Sequence, residues 1–482
     1  MNSKDLLKET IAYLKQKGVD YGDIRQVCTI HQGLETKNGM VENLQEDSDQ
    51  GFGVRVLVQG SWGFAASSSL TEMEMKRVAD EAVEIAKASA GVNNQKVQLT
   101  EVEPYVDTYR TRIDIDPFQV SWDDKISLLL RADEILRKDP RIKVAQGNLV
   151  FNRIDKIFVS TEGALIEQTI WESGGGILAV AVEGSEVQQR SYPNSYHGDF
   201  ATRGYEFILG MDLIGQAERV RTEALELLHA PECPAGEKTL ILEGSQVAIQ
   251  VHESCGHPIE LDRVLGTEIS LAGGSFLTLD KLGKFRYGSA AVNITADATL
   301  EGGLGSFGYD DEGVKAQRTD IVHNGLFVGY LTSRETAGVL GQRSNGTMRA
   351  DGWNRIPLIR MVNINLEPGE PSFEELLADT PDGLYLSTLK SWSIDDLRLN
   401  FQFGCEMAQE IKHGRLGRIF KNPVYTGITP EFWGSCDAVC NKNFWHIWGT
   451  PNCGKGEPMQ AGHVGHGTAP ARFRRVQVGV KK

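Results

Sequence analysis

Two stretches of this chain run in step. With Asn38-Gly39 laid on Glu162-Gly163, the same offset puts Val56 on Val180, Val58 on Val182 and Gly60-Ser61 on Gly184-Ser185. An offset held across a turn, a strand and a second turn reads as one supersecondary unit used twice, which restricts the fold more than any single motif does. The surrounding pattern agrees. Residues 4–17 carry Leu6, Leu7, Ile11 and Leu14 at helical spacing, and residues 71–90 do the same with Met75, Val78, Ala82, Ile85 and Ala86. Between them lie strand-like runs, Ile24–Ile30 and Val54–Val58, around a Lys37-Asn38-Gly39 turn. The order then recurs, with a helical pattern over 122–138, β-rich sequence over 142–206 and a helix over 211–229.

Two prolines and a glycine in Ala230-Pro231-Glu232-Cys233-Pro234-Ala235-Gly236 end the repeat. Beyond them, Thr239–Leu242 is strand-like and Gln246–Val251 is expected to be helical, with Ser245 as its N-cap. Residues 290–482 read mostly as short strands and turns, including an Asn324-Gly325 hairpin and a short helix at Phe373–Leu377. The expected fold class is α+β: an N-terminal half of repeated helix, β-meander, helix units and a C-terminal half of mainly antiparallel β with one motif-bearing helix. The expected units are 1–115, 116–232 and 233–482.

That helix leads into Val251-His252-Glu253-Ser254-Cys255-Gly256-His257-Pro258, two imidazoles flanking a carboxylate. Neutral imidazole is the commonest nitrogen ligand for zinc, and a carboxylate beside metal-held water can take its proton, so the trio suits metal-assisted hydrolysis. Histidines four apart stand about 40° apart around a regular helix, whereas five apart they diverge by about 140°. A regular helix would therefore aim His252 and His257 apart. Gly256 removes a side chain that would resist distortion, and Pro258 lacks an amide donor and clashes with the preceding turn, so an unwound or bulged turn is expected here.

Two histidines leave a catalytic zinc one protein ligand short. Cys453, in Thr450-Pro451-Asn452-Cys453-Gly454-Lys455-Gly456, is the first candidate, and His463 and His466 form the rival pair, on a segment that equally suits a loop at the rim. Cys436, Cys440, His446 and Cys453 raise a closed structural zinc site, although their spacing matches no zinc ribbon. Tyr309-Asp310-Asp311-Glu312-Gly313 offers a hard-cation site or, more commonly for such a sequence, a solvated turn. His463, His466 and Asp311 are carried forward as substrate or rim residues.

Composition narrows the class. With 50 basic and 65 acidic residues, the net charge is −15, which argues against nucleic acid or an anionic membrane as the main partner. The first ten residues alternate acidic and basic without an apolar run, unlike a signal peptide, and no apolar run reaches spanning length. Seven scattered cysteines fit reduced thiols, so a cytoplasmic location is expected.

The combination of His252-Glu253-Ser254-Cys255-Gly256-His257, Asn452-Cys453-Gly454-Lys455, Gly308–Gly313 and Gly465-His466-Gly467-Thr468-Ala469-Pro470 resembles the TldD/PmbA family, in its TldD-type, metal-binding branch. The resemblance implies a cytoplasmic zinc metallopeptidase that cuts short or unfolded peptides, with His252, His257 and Cys453 on Zn2+ and Glu253 activating water. It also implies a paralogous TldE/PmbA-like subunit, with a homo-oligomer as the alternative. Where that family leads one to expect a Gly-Gly-x-x-Asp strand entry, this chain has Leu389-Lys390-Ser391-Trp392-Ser393-Ile394-Asp395, which leaves substrate contacts around that loop open. Two other readings compete: a non-catalytic peptide-binding or assembly subunit, and a metal-dependent amidase acting on small molecules.

Overall fold

The computed structural model describes residues 3–195, 197–271 and 273–479. Its N-terminal half is the repeat made literal. Helix α1 (Ser3–Gln16) is followed by the meander β1 (Tyr21–Lys37), β2 (Met40–Val58) and β3 (Ser61–Ser67), and then by α2 (Glu72–Ala90). After β4 (Val106–Arg110), helix α3 (Trp122–Leu136) precedes β5 (Ile142–Ser160), β6 (Leu165–Glu183) and β7 (Glu186–Tyr192). Strand β8 (Asp199–Ala201) and helices α4 (Glu206–Met211) and α5 (Leu213–His229) complete this half. Two-residue turns set the meander register: Asn38 and Gly39 both have positive φ, 49° and 82°, as do Gln59 and Gly60, the geometry that matches strand twist.

The two units share one eight-stranded sheet, ordered β3-β2-β1-β5-β6-β4, with β7 and β8 also on β6. Strands β1 and β5 join them, antiparallel from Asp23 opposite Ser160 to Lys37 opposite Gln146. All four long helices cover one face. Leu7, Ile11, Leu14, Met75, Val78 and Ala82 pack on Ile24, Val54 and Val56, while Leu129, Ala132, Ala217 and Val220 pack on Leu34, Leu149 and Phe151. The other face is charged and meets the C-terminal half through buried pairs. Arg55 joins Asp23 (2.8 Å) to Glu312 (3.2 Å), Lys156 lies 3.3 Å from Asp311, and Glu172 lies 2.8 Å from His463.

The C-terminal half is built on a closed ring of five strands. β9 (Gly236–Leu242) lies between Asp382–Ile394 and Ala471–Val478, then follow Val424–Ile428 and Asn400–Lys412, which pairs back onto Asp382–Ile394. Pairing is antiparallel except where β9 runs parallel to Leu384–Leu386. The hairpin at Asn324-Gly325 is present, with φ of 48° and 79°, and the short helix is Phe373–Ala378. Helix α6 (Gly244–Val251) leaves β9 directly and is almost wholly buried. Its cap differs from expectation: Glu243, not Ser245, is the N-cap, accepting the Ser245 N–H, because Ser245 already lies inside the first turn. Tyr425 pins the helix by its hydroxyl, accepting from Gln246 and donating to Gln250, both at 2.9 Å.

The acidic turn at Tyr309–Gly313 is not solvated. Asp310, Asp311 and Glu312 are all buried, and Asp310 accepts backbone N–H groups from Glu312, Val314 and Met348. Its charge is used internally, between the two halves.

Candidate metal centre

Helix α6 does not stay regular through the motif. The N–H of His257 bonds the carbonyl of His252 at 3.2 Å, five residues back, so residues His252–Gly256 form one π turn. At roughly 80° per residue in place of 100°, histidines five apart swing to about 40° of one another. The two rings accordingly lie 4.9 Å apart, centre to centre. Gly256 is required less for distortion than for space, since a Cβ there would run into the Met361 side chain.

Cys453 arrives from the strand His446–Lys455, at a bulge where its register against Gln460–Thr468 shifts between Thr450 and Cys453. Its Sγ lies 3.8 Å from Nε2 of His257. His252, His257 and Cys453 offer three ligand atoms within 4.8 Å of one another, and among the described residues no other group of histidine, cysteine or carboxylate side chains gathers this way. The closed four-residue site that Cys436, Cys440, His446 and Cys453 raised does not form among the described residues: Cys436 and Cys440 are buried in the apolar core instead.

Each histidine is oriented from behind. His466 Nδ1 lies 3.1 Å from the Ile364 carbonyl, so it donates there, and its Nε2 accepts from His252 Nδ1 at 2.8 Å. That leaves Nε2 of His252 as its lone-pair nitrogen. His466 is fully buried and lies behind a ligand candidate rather than at a rim. His257 donates from Nδ1 to Glu260 Oε2 at 3.2 Å, which turns its own Nε2 toward the Cys453 sulfur. Glu260 is held in turn by Arg263 (2.6 Å) and Lys455 (3.5 Å), and Lys455 also pairs with Asp262 at 2.7 Å. Burial alone would raise the Glu260 pKa, but Lys455 and Arg263 outweigh it and hold the carboxylate well below its ordinary range. Burial likewise opposes ionisation of Cys453, yet His257 and Arg360 pull its pKa below that of a free thiol.

Two imidazoles with lone pairs converging on a thiol of lowered pKa form a donor set that fits zinc. Ligands about 2.0–2.3 Å from a tetrahedral ion stand roughly 3.5 Å apart, so this cluster needs little movement to hold one.

The three side chains open onto a cleft of about 460 Å³ with Glu253 on its wall. Strand residues Trp448–Gly454 line it together with Leu389, Trp392–Asp396 and Arg398. Arg398 Nη1 donates to Glu253 Oε2 at 2.6 Å. His463 and Asp311 lie elsewhere, facing a smaller cavity between the halves together with Lys156, Glu172 and Arg349. Neither lines the metal cleft, because both are engaged by charged partners on the N-terminal sheet.

Sequence reasoning missed Glu260 and Arg398. A carboxylate one helical turn after His257 was a readable signal; an arginine brought from the far end of a strand hairpin left none.

Residues 22–86 match the PmbA/TldA metallopeptidase domain 1, residues 115–228 its central domain, and residues 235–479 its C-terminal domain. The chain belongs to the PmbA/TldD family. A metalloprotease of Methanocaldococcus jannaschii is 32% identical over 89% of this chain and 92% of its own length. A metalloprotease of Methanothermobacter thermautotrophicus is 30% identical over 96% of each chain. A zinc metalloprotease TldD homolog of Saccharolobus solfataricus is 26% identical over 89% of this chain and 93% of that protein. In fold, this PmbA/TldD chain is similar to a Thermotoga maritima protein described as a modulator of DNA gyrase (TM-score 0.78, 19% identity, 99% of this chain and 100% of that one). It is similar too to TldE from Thermococcus kodakarensis (TM-score 0.76, 16% identity, 98% and 100%). Family membership makes this a metallopeptidase-type chain, and a metal is implied by the relatives and by the buried His/His/Cys group.

Proposed function

We propose that this chain is a zinc-dependent peptidase acting on short or unfolded peptides, with His252, His257 and Cys453 as ligands and Glu253 as general base. The observation that carries the reading is the convergence of three ligand atoms from segments about two hundred residues apart at a cleft walled by Glu253. Zinc, when bound, supplies Lewis-acid polarisation of a scissile carbonyl and lowers the pKa of water. Glu253 takes a proton from the attacking water and passes it to the leaving nitrogen. His466 and Glu260 keep the two imidazoles in the tautomers and orientations that present their lone pairs.

The cleft's shape supports peptide over small-molecule amide. The strand His446–Lys455 pairs along one edge with Gln460–Thr468, and its residues Thr450–Gly454 line the cleft, so an extended peptide can lie alongside it by main-chain hydrogen bonds with broad tolerance of sequence. Trp392, Ile394, Leu389 and Ile249 give that peptide apolar contacts.

The chain is read as three units, 1–115, 116–232 and 233–482, working in the cytoplasm beside a paralogous subunit or a second copy. Its fold similarity to a TldE supports the pairing, and its net charge of −15 argues against nucleic acid or membrane as partner. No helix of the described residues is long and apolar enough to cross a membrane.

Elemental mass spectrometry of wild type, Cys453→Ala and His257→Ala tests the ligand set: one equivalent of zinc in wild type, lost in both variants, is expected. Glu253→Gln should keep its zinc and lose hydrolysis of an unfolded casein. Retained hydrolysis in the metal-loaded variant sinks the base assignment, and wild type that binds no zinc when supplied with it favours the non-catalytic subunit.

A further inference from the structure

We propose that Arg398 is the positioning residue for Glu253, fixing its carboxylate on the wall of the cleft from a segment 145 residues away in sequence. The proposal rests on the reading of Glu253 as the base and adds what holds it in place.

A glutamate one residue beyond His252 has three free torsions, and the helix backbone fixes none of them. Here its Oε2 meets Arg398 Nη1 at 2.6 Å, with the two side chains only 8% and 7% exposed. A short charge-assisted hydrogen bond between two such groups orients both. The arginine end is the more rigid one. Arg398 lies in the loop joining Asp382–Ile394 to Asn400–Lys412, with φ of +65°, a conformation that persists in a non-glycine residue only when its surroundings enforce it.

Those surroundings are explicit. The Arg398 N–H donates to the Asp395 carbonyl at 2.9 Å, and the Arg398 carbonyl accepts from the Thr429 hydroxyl at 2.7 Å. The Thr429 N–H bonds the Leu399 carbonyl at 2.8 Å, and the Phe276 N–H bonds that of Leu397 at 3.1 Å. Asp395 closes the loop with its carboxylate, accepting from the Leu399 and Asn400 N–H groups. The loop is thus locked to the barrel and to the 276 segment before the guanidinium reaches the cleft. The ion pair transfers that rigidity to Glu253. Strain is stored in the loop, and the carboxylate is the group it places.

Arg398→Ala, Arg398→Lys, Glu253→Gln and the Arg398→Ala/Glu253→Gln double variant are compared as zinc-loaded full-length chains on fluorescein-labelled unfolded casein. If Arg398 acts through the base, Arg398→Ala loses about 100-fold in kcat, within the range general-base catalysis contributes, with KM and zinc content nearly unchanged. Arg398→Lys retains part of the rate, and added guanidinium restores Arg398→Ala by about tenfold. The double variant is no slower than Glu253→Gln. A rate for Arg398→Ala within threefold of wild type, or an equal further loss on the Glu253→Gln background, overturns the proposal. Hydrogen exchange of residues 251–257, the turn that carries Glu253, gives a readout that needs no substrate: Glu253→Gln and Arg398→Ala should both speed it while the 395–400 loop keeps its own hydrogen bonds, and unchanged exchange in both refutes the ion pair as an anchor. Should wild type hydrolyse no casein while exchange still responds to both variants, the peptidase reading fails and the positioning contact stands.

Discussion

Glu260→Gln is the substitution that separates a metal site from a cluster of core histidines. Glu260 is wholly buried and sits at a hub where His257 (3.2 Å), Arg263 (2.6 Å) and Lys455 (3.5 Å) all reach it. Two carboxylates, Glu260 and Asp262, there balance two cations, so the amide leaves one positive charge uncompensated in the interior. Breaking a buried pair costs about 3–5 kcal/mol, and the lower end applies here because Lys455 keeps Asp262 at 2.7 Å. A second effect is independent of folding. The amide is a weaker acceptor for the His257 Nδ1–H, and loss of such a carboxylate behind a histidine ligand lowers metal affinity 10–100-fold, or about 1.4–2.7 kcal/mol. Calorimetry at a fixed scan rate reads the first effect, and zinc competition against a chromophoric chelator, on variant shown folded by near-ultraviolet circular dichroism, reads the second. Glu260→Asp should fall between wild type and the amide. Folded Glu260→Gln with zinc affinity within twofold of wild type would refute the orientation argument.

Gly256→Ala should destabilise the chain by about 1–3 kcal/mol through overpacking against Met361, and Met361→Ala in the same chain should recover much of the loss; an unshifted unfolding midpoint in the single variant would show that the site has room. The His463–Glu172 pair predicts a stability window. Burial opposes the His463 charge but Glu172 outweighs it, so this pKa is raised, while burial opposes the Glu172 charge but His463 outweighs it, so that one is lowered. The His463 contribution is complete below the ordinary histidine range and is lost as pH rises through the raised value. The Glu172 contribution is complete above the ordinary glutamate range and is lost as pH falls through the lowered value. Unfolding midpoints taken from about pH 4 to about pH 9 should show Glu172→Gln losing most, relative to wild type, inside that window. Equal loss at every pH would contradict the assignment.

The chain's own periodicity determined the N-terminal architecture. An offset kept through Asn38-Gly39, Val56 and Gly60 forces two equal meanders, and turn residues with positive φ leave little freedom in their register. The ligand candidates were legible for a similar reason: imidazole, carboxylate and thiol are scarce chemistries, and Gly256 with Pro258 announced a distorted turn. What sequence could not decide is which groups meet. Asp311 and Glu312 look like a solvated turn in isolation and are buried counter-charges once the polar face of the N-terminal sheet lies over them. His466 and His463 are three residues apart and alike in context. One strand sends His466 beneath His252 and His463 outward to Glu172, because side chains three apart on a strand point to opposite faces. Arg398 and Glu253, like Cys453 and His257, are joined only by closure of the barrel and its hairpins. Long-range contacts of this kind depend on strand pairing summed over the whole domain, and no local window of residues contains that information.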